Sequence, residues 1–432
     1  MRYAGKHTLF AELLAQATRD ATRAALVACI DHQHGGLGRY WLRRQVALVA
    51  AVLHGARPCI PPSPMAPVPR PPLAVTCVGI LVVAFSFVSP LPRSSRVVLA
   101  AVAWDRWLGE PPLAIHPVVL VGRLISTAVR AMPARVYASS VLGLLSGVCL
   151  LVGALSASLA TTWLLLRATE AAAVRVAAGA VAIGDGSSTT YLRLAMWLQG
   201  VVRLAVWLLE VVLVKSAIGG HLLTTVAMQM GRLLERKQLA QARDQLAWLC
   251  SRDPSALDAE DLTGGTIESL AENLSDGFVA PLFWYVLMGP LGALGYRVAN
   301  TLDSRVGYHG RFEWVGKPSA RLDDVINLAP ARLTALCLAA AALATPECDS
   351  ARGVRVAWRD CQRCESPNAG WPMAAMAGVL GVRLEKAKHY SLGDPSRPLT
   401  PRTIYVAVRV AQIAGSLVTL VAVVTSALCA PR

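Results

Sequence analysis

From Tyr137 to Leu166 the chain carries no charged side chain, and the first to follow is Arg167. A helix needs only ~20 apolar residues to cross a bilayer's hydrocarbon core, so this run is more than long enough. Inside lipid, every backbone N–H and C=O must be satisfied within the protein, which a helix or a closed barrel achieves. No stretch of the chain alternates persuasively in the manner of a strand, which leaves helix. Composition agrees: 54% of residues are hydrophobic and 16% charged, where soluble domains have about 45–50% and about 25%. Phe is rare, and Ala, Leu and Val supply most of the apolar surface, which suits helices packed closely in a membrane. The expected fold class is mainly α, a polytopic integral membrane protein with a cytosol-facing polar helical region.

Other apolar runs extend the pattern. Leu73 to Val88 and Thr403 to Cys429 read as spans, and Val97 to Trp104 as a shorter helix leading into Asp105. Ala171 to Ile183 is short and carries Arg175, while Leu194 to Ile218 bears Arg203, Glu210 and Lys215. Between about residues 219 and 400 the chain is less apolar. Leu222 to Leu249 reads as one amphipathic helix whose Arg232, Arg236, Lys237 and Arg243 mark a cytosol-facing surface. Phe278 to Leu294 and Ala331 to Ala344 are marginal in length: short spans, re-entrant helices or core helices. Residues 1–94, with a Pro-rich run from Pro58 to Pro72, read as a variable N-terminal extension without a signal peptide, and 95–432 as the membrane-embedded domain. No internal repeat is visible.

The net charge of +15 has two candidate origins. No Lys/Arg run is interleaved with stacking aromatics, so nucleic acid is not the expected partner. The positive-inside bias of membrane proteins accounts for the excess, and anionic substrates would give it a second use. Of the ten Cys, the close pair Cys361 and Cys364 is a lone CxxC without a second half, and buried free thiols are the plainer reading.

Four polar constellations sit in or beside apolar runs. In Glu268-Ser-Leu-Ala-Glu272-Asn-Leu-Ser-Asp276, three carboxylates fall within about 80° of helix arc. Like charges four apart cost roughly 0.2–0.5 kcal/mol per pair in an isolated helix, so a cation or partner charge is expected opposite them. Arg252 and Asp253 lie just upstream. Asp105-Arg-Trp-Leu-Gly-Glu-Pro-Pro precedes His116, and the Gly109-Glu110-Pro111 turn returns His116 towards Asp105; a helix cap with an interfacial turn accounts for it equally. Arg297, Asn300, Thr301 and Ser304 form a polar helical stripe, with Asp303 off it. Beyond a loop come Lys317, Arg321, Asp323 and Asp324, where Ser319 as an N-cap would leave free N–H groups for a phosphate. Lastly, Asn368 lies in a Pro-flanked turn before a small-residue helix.

At these residues the chain closely resembles the adenosylcobinamide-phosphate synthase family of cobalamin biosynthesis, known as CobD or CbiB. The matching stretches are DRWLGEPPLAIHPVVLVGRLI, TIESLAENLSDGFVAPLFW, YRVANTLDSRVGY, SARLDDVINLAPARLTAL and SPNAGWPMAAMAGVLGVRLEK, from about residue 95 to the C-terminus. The resemblance implies a multi-pass enzyme of the bacterial cytoplasmic membrane, with its active site on the cytosolic side. It would join adenosylcobyric acid to aminopropanol phosphate through an amide, using ATP and Mg²⁺, in contact with the lipid bilayer and with other membrane enzymes of the pathway. Glu268, Glu272, Asp276 and Asp303 would be catalytic carboxylates, with Glu268, Glu272, Asp323 and Asp324 as metal ligands. Arg252, Lys317 and Arg321 would neutralise phosphates; Asn300 and Asn368 would hold the amide-rich corrin rim; Asp105, His116 and Arg297 would complete the substrate site. No Walker A loop is present. Departures from the family pattern are residues 1–94, Pro254 where Thr is usual, Arg305 where Met is usual, and an insertion-like stretch from about Glu170 to Leu192. Two other classes fit a chain of this composition, a transporter whose pathway is marked by Glu210 and Lys215 and an inactive scaffold.

Overall fold

The computed structural model describes Ser86 and residues 91–111, 116–183, 189–249, 257–308, 310–386 and 389–429. The first apolar run up to Val88, Arg252 with Asp253 and Pro254, and the Gly184 loop therefore lie outside the described residues, Ser86 excepted. Helices come in the order α1 Arg93–Trp107, α2 Pro117–Ala131, α3 Ala134–Ala138, α4 Ser140–Ile183, α5 Thr189–Ala217, α6 Gly220–Glu235, α7 Leu239–Leu249 and α8 Ala259–Leu274. A π-helical turn, Ser275–Val279, joins α8 to α9 Ala280–Val306. Then follow α10 Glu313–Ile326, α11 Leu328–Ala342, α12 Ser350–Asp360, a 3₁₀ turn Cys361–Arg363, α13 Gly370–Leu380 and α14 Pro401–Leu428.

Among the described residues, three continuous helical stretches are long and apolar enough to cross a membrane: Ser140–Val176, Ala259–Val306 and Pro401–Leu428. The pair α10 and α11, bent by 48°, qualifies as a fourth if taken together. The long charge-free run is thus a helix, and it continues without a break through Ala171–Ile183, which is no separate element. Val141, Leu145, Trp163 and Leu164 on α4, and Met196 and Trp197 on α5, are exposed. Apolar surface so continuous needs lipid or another apolar partner.

The core lies where α6, α8, α11, α13 and α14 meet α1 and the π turn. It is built from small residues, among them Ala100, Ala101, Ala374, Ala375, Ala377, Ala407, Ala411 and Ala414, each at most 1% exposed. Without side-chain bulk, the helix backbones approach closely. Apart from Trp371, every residue of α13 is buried, which is why it is apolar all round rather than striped.

Two helix breaks have local causes. Gly289 adopts φ 64°, ψ −154°, and Pro290 follows it. Proline offers no N–H and crowds the preceding turn, and only glycine enters that backbone region cheaply. The expected single helix from Leu222 to Leu249 is two: Lys237 takes φ 57°, and the N–H groups of Lys237 and Gln238 donate to Leu234 and Leu233 carbonyls. This is a Schellman-type stop with lysine where glycine is usual.

A short hairpin also appears where no strand was expected, β1 Leu384–Lys386 against β2 Tyr390–Leu392. At three residues per strand, it is too brief for alternation to register. Asp360, fully buried, ties this hairpin to α12 through the Arg359 guanidinium at 2.7 Å, Arg363 at 3.2 Å and the Gly393 N–H at 2.9 Å. Burial pushes its carboxyl up, but those donors outweigh that and hold it below the usual range.

Candidate active site

The π turn determines where the carboxylate row points. Pro281 cannot donate to the carbonyl of Gly277, and its ring crowds that carbonyl; the helix widens there by one residue. Glu268, before the turn, is buried and accepts a hydrogen bond from the Tyr390 hydroxyl at 3.1 Å. Asp276, inside the turn, lies within Coulombic reach of Asp323, Glu272, Arg297 and Asp303. Glu272 is near both ends, since with Glu268 it also faces the Cys364 thiol. Burial and those two carboxylates push that thiol up to about 12, so Cys364 stays protonated and the CxxC pair is not a thiolate site.

The polar stripe on α9 meets this row. Arg297 donates to the Asp276 carbonyl at 3.4 Å and to the Asn300 side chain at 3.3 Å. Asn300 donates to Asp323 at 3.3 Å, Asn327 donates to the other Asp323 oxygen at 2.9 Å, and the Tyr296 hydroxyl donates to Asn327 at 2.9 Å. Asp303, off the stripe, faces Asp323, Asp324 and Glu272. Asn368, buried, donates to the Asp324 carbonyl at 2.7 Å and accepts from Arg332, which stacks over Trp371.

The fold therefore gathers Glu272, Asp276, Asp303, Asp323 and Asp324 around Arg297, Asn300 and Asn368. Arg321 stands at the rim, 3.7 Å from Asp324 and well exposed. Lys317 stacks on Trp314. Ser319 is not an N-cap: α10 begins at Glu313, and the buried Ser319 hydroxyl donates to the Gly316 carbonyl. Ser319 therefore leaves no free helix-start N–H groups beside Lys317 and Arg321. Thr301 and Ser304 bond to carbonyls of their own helix. Arg305 reaches α2 and bonds Ser126.

Asp105 and His116 belong to a second cluster. Asp105 sits in the last turn of α1 and is buried. Lys215, fully buried, lies 3.1 Å from Asp105 and 2.9 Å from Glu110, while His116 Nε2 is 3.4 Å from the same Glu110 oxygen. The turn does bring His116 back, but to Asp105 by way of Glu110 and Lys215. Burial raises the Glu110 carboxyl, yet hydrogen bonds from His116 and Lys215 hold it below its ordinary range. Burial, beside Arg106 and Lys215, lowers His221. Glu210 pairs with Arg93 at 2.9 Å, so both charges that suggested a transport pathway have fixed partners.

Sequence reasoning passed over Tyr390 and Asn327. Tyr390 is 122 residues from Glu268 and has no local signal. Asn327 lay in view beside the acidic pair, four residues past Asp323, the spacing that lets it cap that carboxylate.

Residues 98–418 match the family model described as CobD/Cbib protein. The chain belongs to the CobD/CbiB family. A cobalamin biosynthesis protein CobD of Dehalococcoides mccartyi is 37% identical over 76% of this chain and 96% of the relative. One of Klebsiella pneumoniae is 36% identical over 73% and 93%. A probable cobalamin biosynthesis protein CobD of Methanothermobacter thermautotrophicus is 34% identical over 76% and 96%. No solved structure matches the chain. Every described residue of both polar clusters lies inside the matched segment.

The donor set bears on which ion the acidic cluster suits. Its ligands are all hard oxygens, and the Nε of Arg297 is buried without a hydrogen-bond partner among the described residues, so the site has both acidic and basic groups to offer a ligand. Among the described residues, no three acidic, His or Cys side chains converge as closely as a closed metal cage requires. Oxygen donors spaced in this way are the kind that Mg²⁺ takes, since it is commonly held by one or two carboxylates with water and substrate phosphates.

Proposed function

We propose that this chain works in cobalamin biosynthesis as a membrane amide ligase. It would join adenosylcobyric acid to (R)-1-amino-2-propanol O-phosphate, giving adenosylcobinamide phosphate at the expense of ATP. Family membership over most of the chain supports the pathway. The observation that carries the chemistry is the gathering of carboxylates: among the described residues Glu272, Asp276, Asp303, Asp323 and Asp324 come together near Arg297, with Arg321 at the rim.

A carboxylate does not accept an amine at useful rates, because its oxygen is a poor leaving group; phosphorylation through an acyl phosphate cures this. Bound Mg²⁺ would supply charge neutralisation for the transferring phosphoryl group. Asp276, Asp323 and Glu272 are the residues to hold it. Arg297, Lys317 and Arg321 neutralise phosphate oxygens, with Arg252 as a further candidate. Asp303 takes the proton lost by the attacking amine. Asn300 and Asn368 present amide groups to the amide-rich corrin rim. Glu268 is held by Tyr390 and orients the row. Positioning and electrostatics supply most of the rate in such a transfer. The basic groups of α6 and α7, with the excess of Lys and Arg, support a cytosolic orientation for this face.

The test is purified protein with adenosylcobyric acid, aminopropanol phosphate and ATP-Mg²⁺. Stoichiometric ADP and adenosylcobinamide phosphate are expected. Folded wild-type protein that forms neither removes the ligase reading.

A further inference from the structure

The charge-balanced cluster around Lys215 is not isolated from the acidic site. Lys215 donates to Glu110 at 2.9 Å and to the Ile218 carbonyl at 3.2 Å, and it forms an ion pair with Asp105 at 3.1 Å. The other Asp105 oxygen accepts the His221 N–H at 2.8 Å, on the first turn of α6. The residues between these two anchored points are Gly219 and Gly220. The Gly219 N–H donates to the Gly277 carbonyl at 2.9 Å, the carbonyl that Pro281 leaves without its usual helical donor. At Gly220 an added Cβ would lie 2.8 Å from Phe278 and 3.4 Å from Asp105, so the two segments are in close contact on both sides of that bond. Gly277 directly follows Asp276, whose own carbonyl is held by Arg297.

We infer that Lys215, with Asp105, is a positioning group for the acidic site: it fixes the Ile218–His221 link, which holds the π turn and so sets where Asp276 stands. Neither Lys215 nor Asp105 touches substrate in this arrangement. The inference rests on the ligase reading for its kinetic consequence only; the mechanical coupling stands apart from it.

Two variants of the full-length protein test it, Lys215→Met and the neutral pair Asp105→Asn with Lys215→Met, which buries no uncompensated charge on Asp105 and guards against misfolding. Hydrogen exchange of the peptide spanning Ser275–Val279 is compared with that of α13. Exchange in the π turn is expected to quicken in both variants while α13 is unchanged. Turnover per folded molecule should fall by about 10²-fold, the effect of an ångström-scale misplacement, with KM for ATP little altered. Unchanged exchange in the π turn, equal quickening in α13, or normal kcat with a loosened turn would each overturn the inference. If wild-type protein shows no ligase activity, the functional reading fails, and the exchange comparison alone decides the coupling.

Discussion

Two clusters of charge lie within this apolar chain, and they are built on opposite plans. Around Lys215, folding itself brings opposite charges together: Asp105 and Glu110 meet Lys215, with His116 beside Glu110. Around Asp276, among the described residues, Glu272, Asp303, Asp323 and Asp324 gather beside Arg297, with Arg321 outside at the rim. A balanced buried cluster holds a fold in one geometry, and removing one partner strands the rest. A gathering of like charges is costly, and a bound cation lowers that cost. The same chemical change, deleting one charge, should therefore injure stability in the first cluster, with turnover following through the π turn, and turnover without loss of stability in the second.

The largest expected effect is on the balanced side. Lys215→Met leaves two carboxylates without their buried cation and should cost about 3–5 kcal/mol, read as a lower unfolding midpoint in detergent. A midpoint within a degree of wild type would break the distinction. Next, Asp276→Asn and Glu272→Gln should each lower product formation by roughly 10²-fold with the unfolding midpoint equal or slightly raised, since a like charge is removed. Unchanged turnover in both would take the catalytic role from this cluster.

Acid should weaken both the Lys215 cluster and the Asp360 tie between α12 and the hairpin. Glu110 and Asp360 are held below their ordinary values of 4.5 and 3.8, so the stability they contribute is complete above those values and is lost as pH falls through the lower folded ones. His221, lowered from 6.5 by burial, acts in the same direction, because below that pH the unfolded chain takes up a proton that the fold resists. The unfolding midpoint should decline from about pH 6.5 downward, and Asp360→Asn should flatten its lowest part. The smallest effect belongs to the rim: Arg321→Ala should change stability by less than about 0.5 kcal/mol, while raising KM for ATP if Arg321 meets phosphate.

The sequence was most legible where one residue type ran uninterrupted. The charge-free run before Arg167 had to be helix, and the α9 stripe of Arg297 and Asn300 had to face something polar. Cross-chain partners were illegible: nothing near Lys215 names Asp105 or Glu110, 110 and 105 residues away, and nothing near Glu268 names Tyr390. Local exceptions were missed for a different reason. Lys237 stops a helix where glycine is the usual signal, and α10 absorbs Pro318 in its interior, so Ser319 only looked like a start. The Gly277–Pro281 spacing was readable in advance as a lost helical hydrogen bond, and with it the widened turn that divides Glu268 from Asp276.

The length of α4 has an outcome of its own. Its 44 residues extend about 66 Å at 1.5 Å per residue, twice the ~30 Å of hydrocarbon that a bilayer provides. No ordinary tilt absorbs such an excess, so part of α4 reaches beyond the hydrocarbon, and the Arg167–Glu170 pair is the first charge met along it.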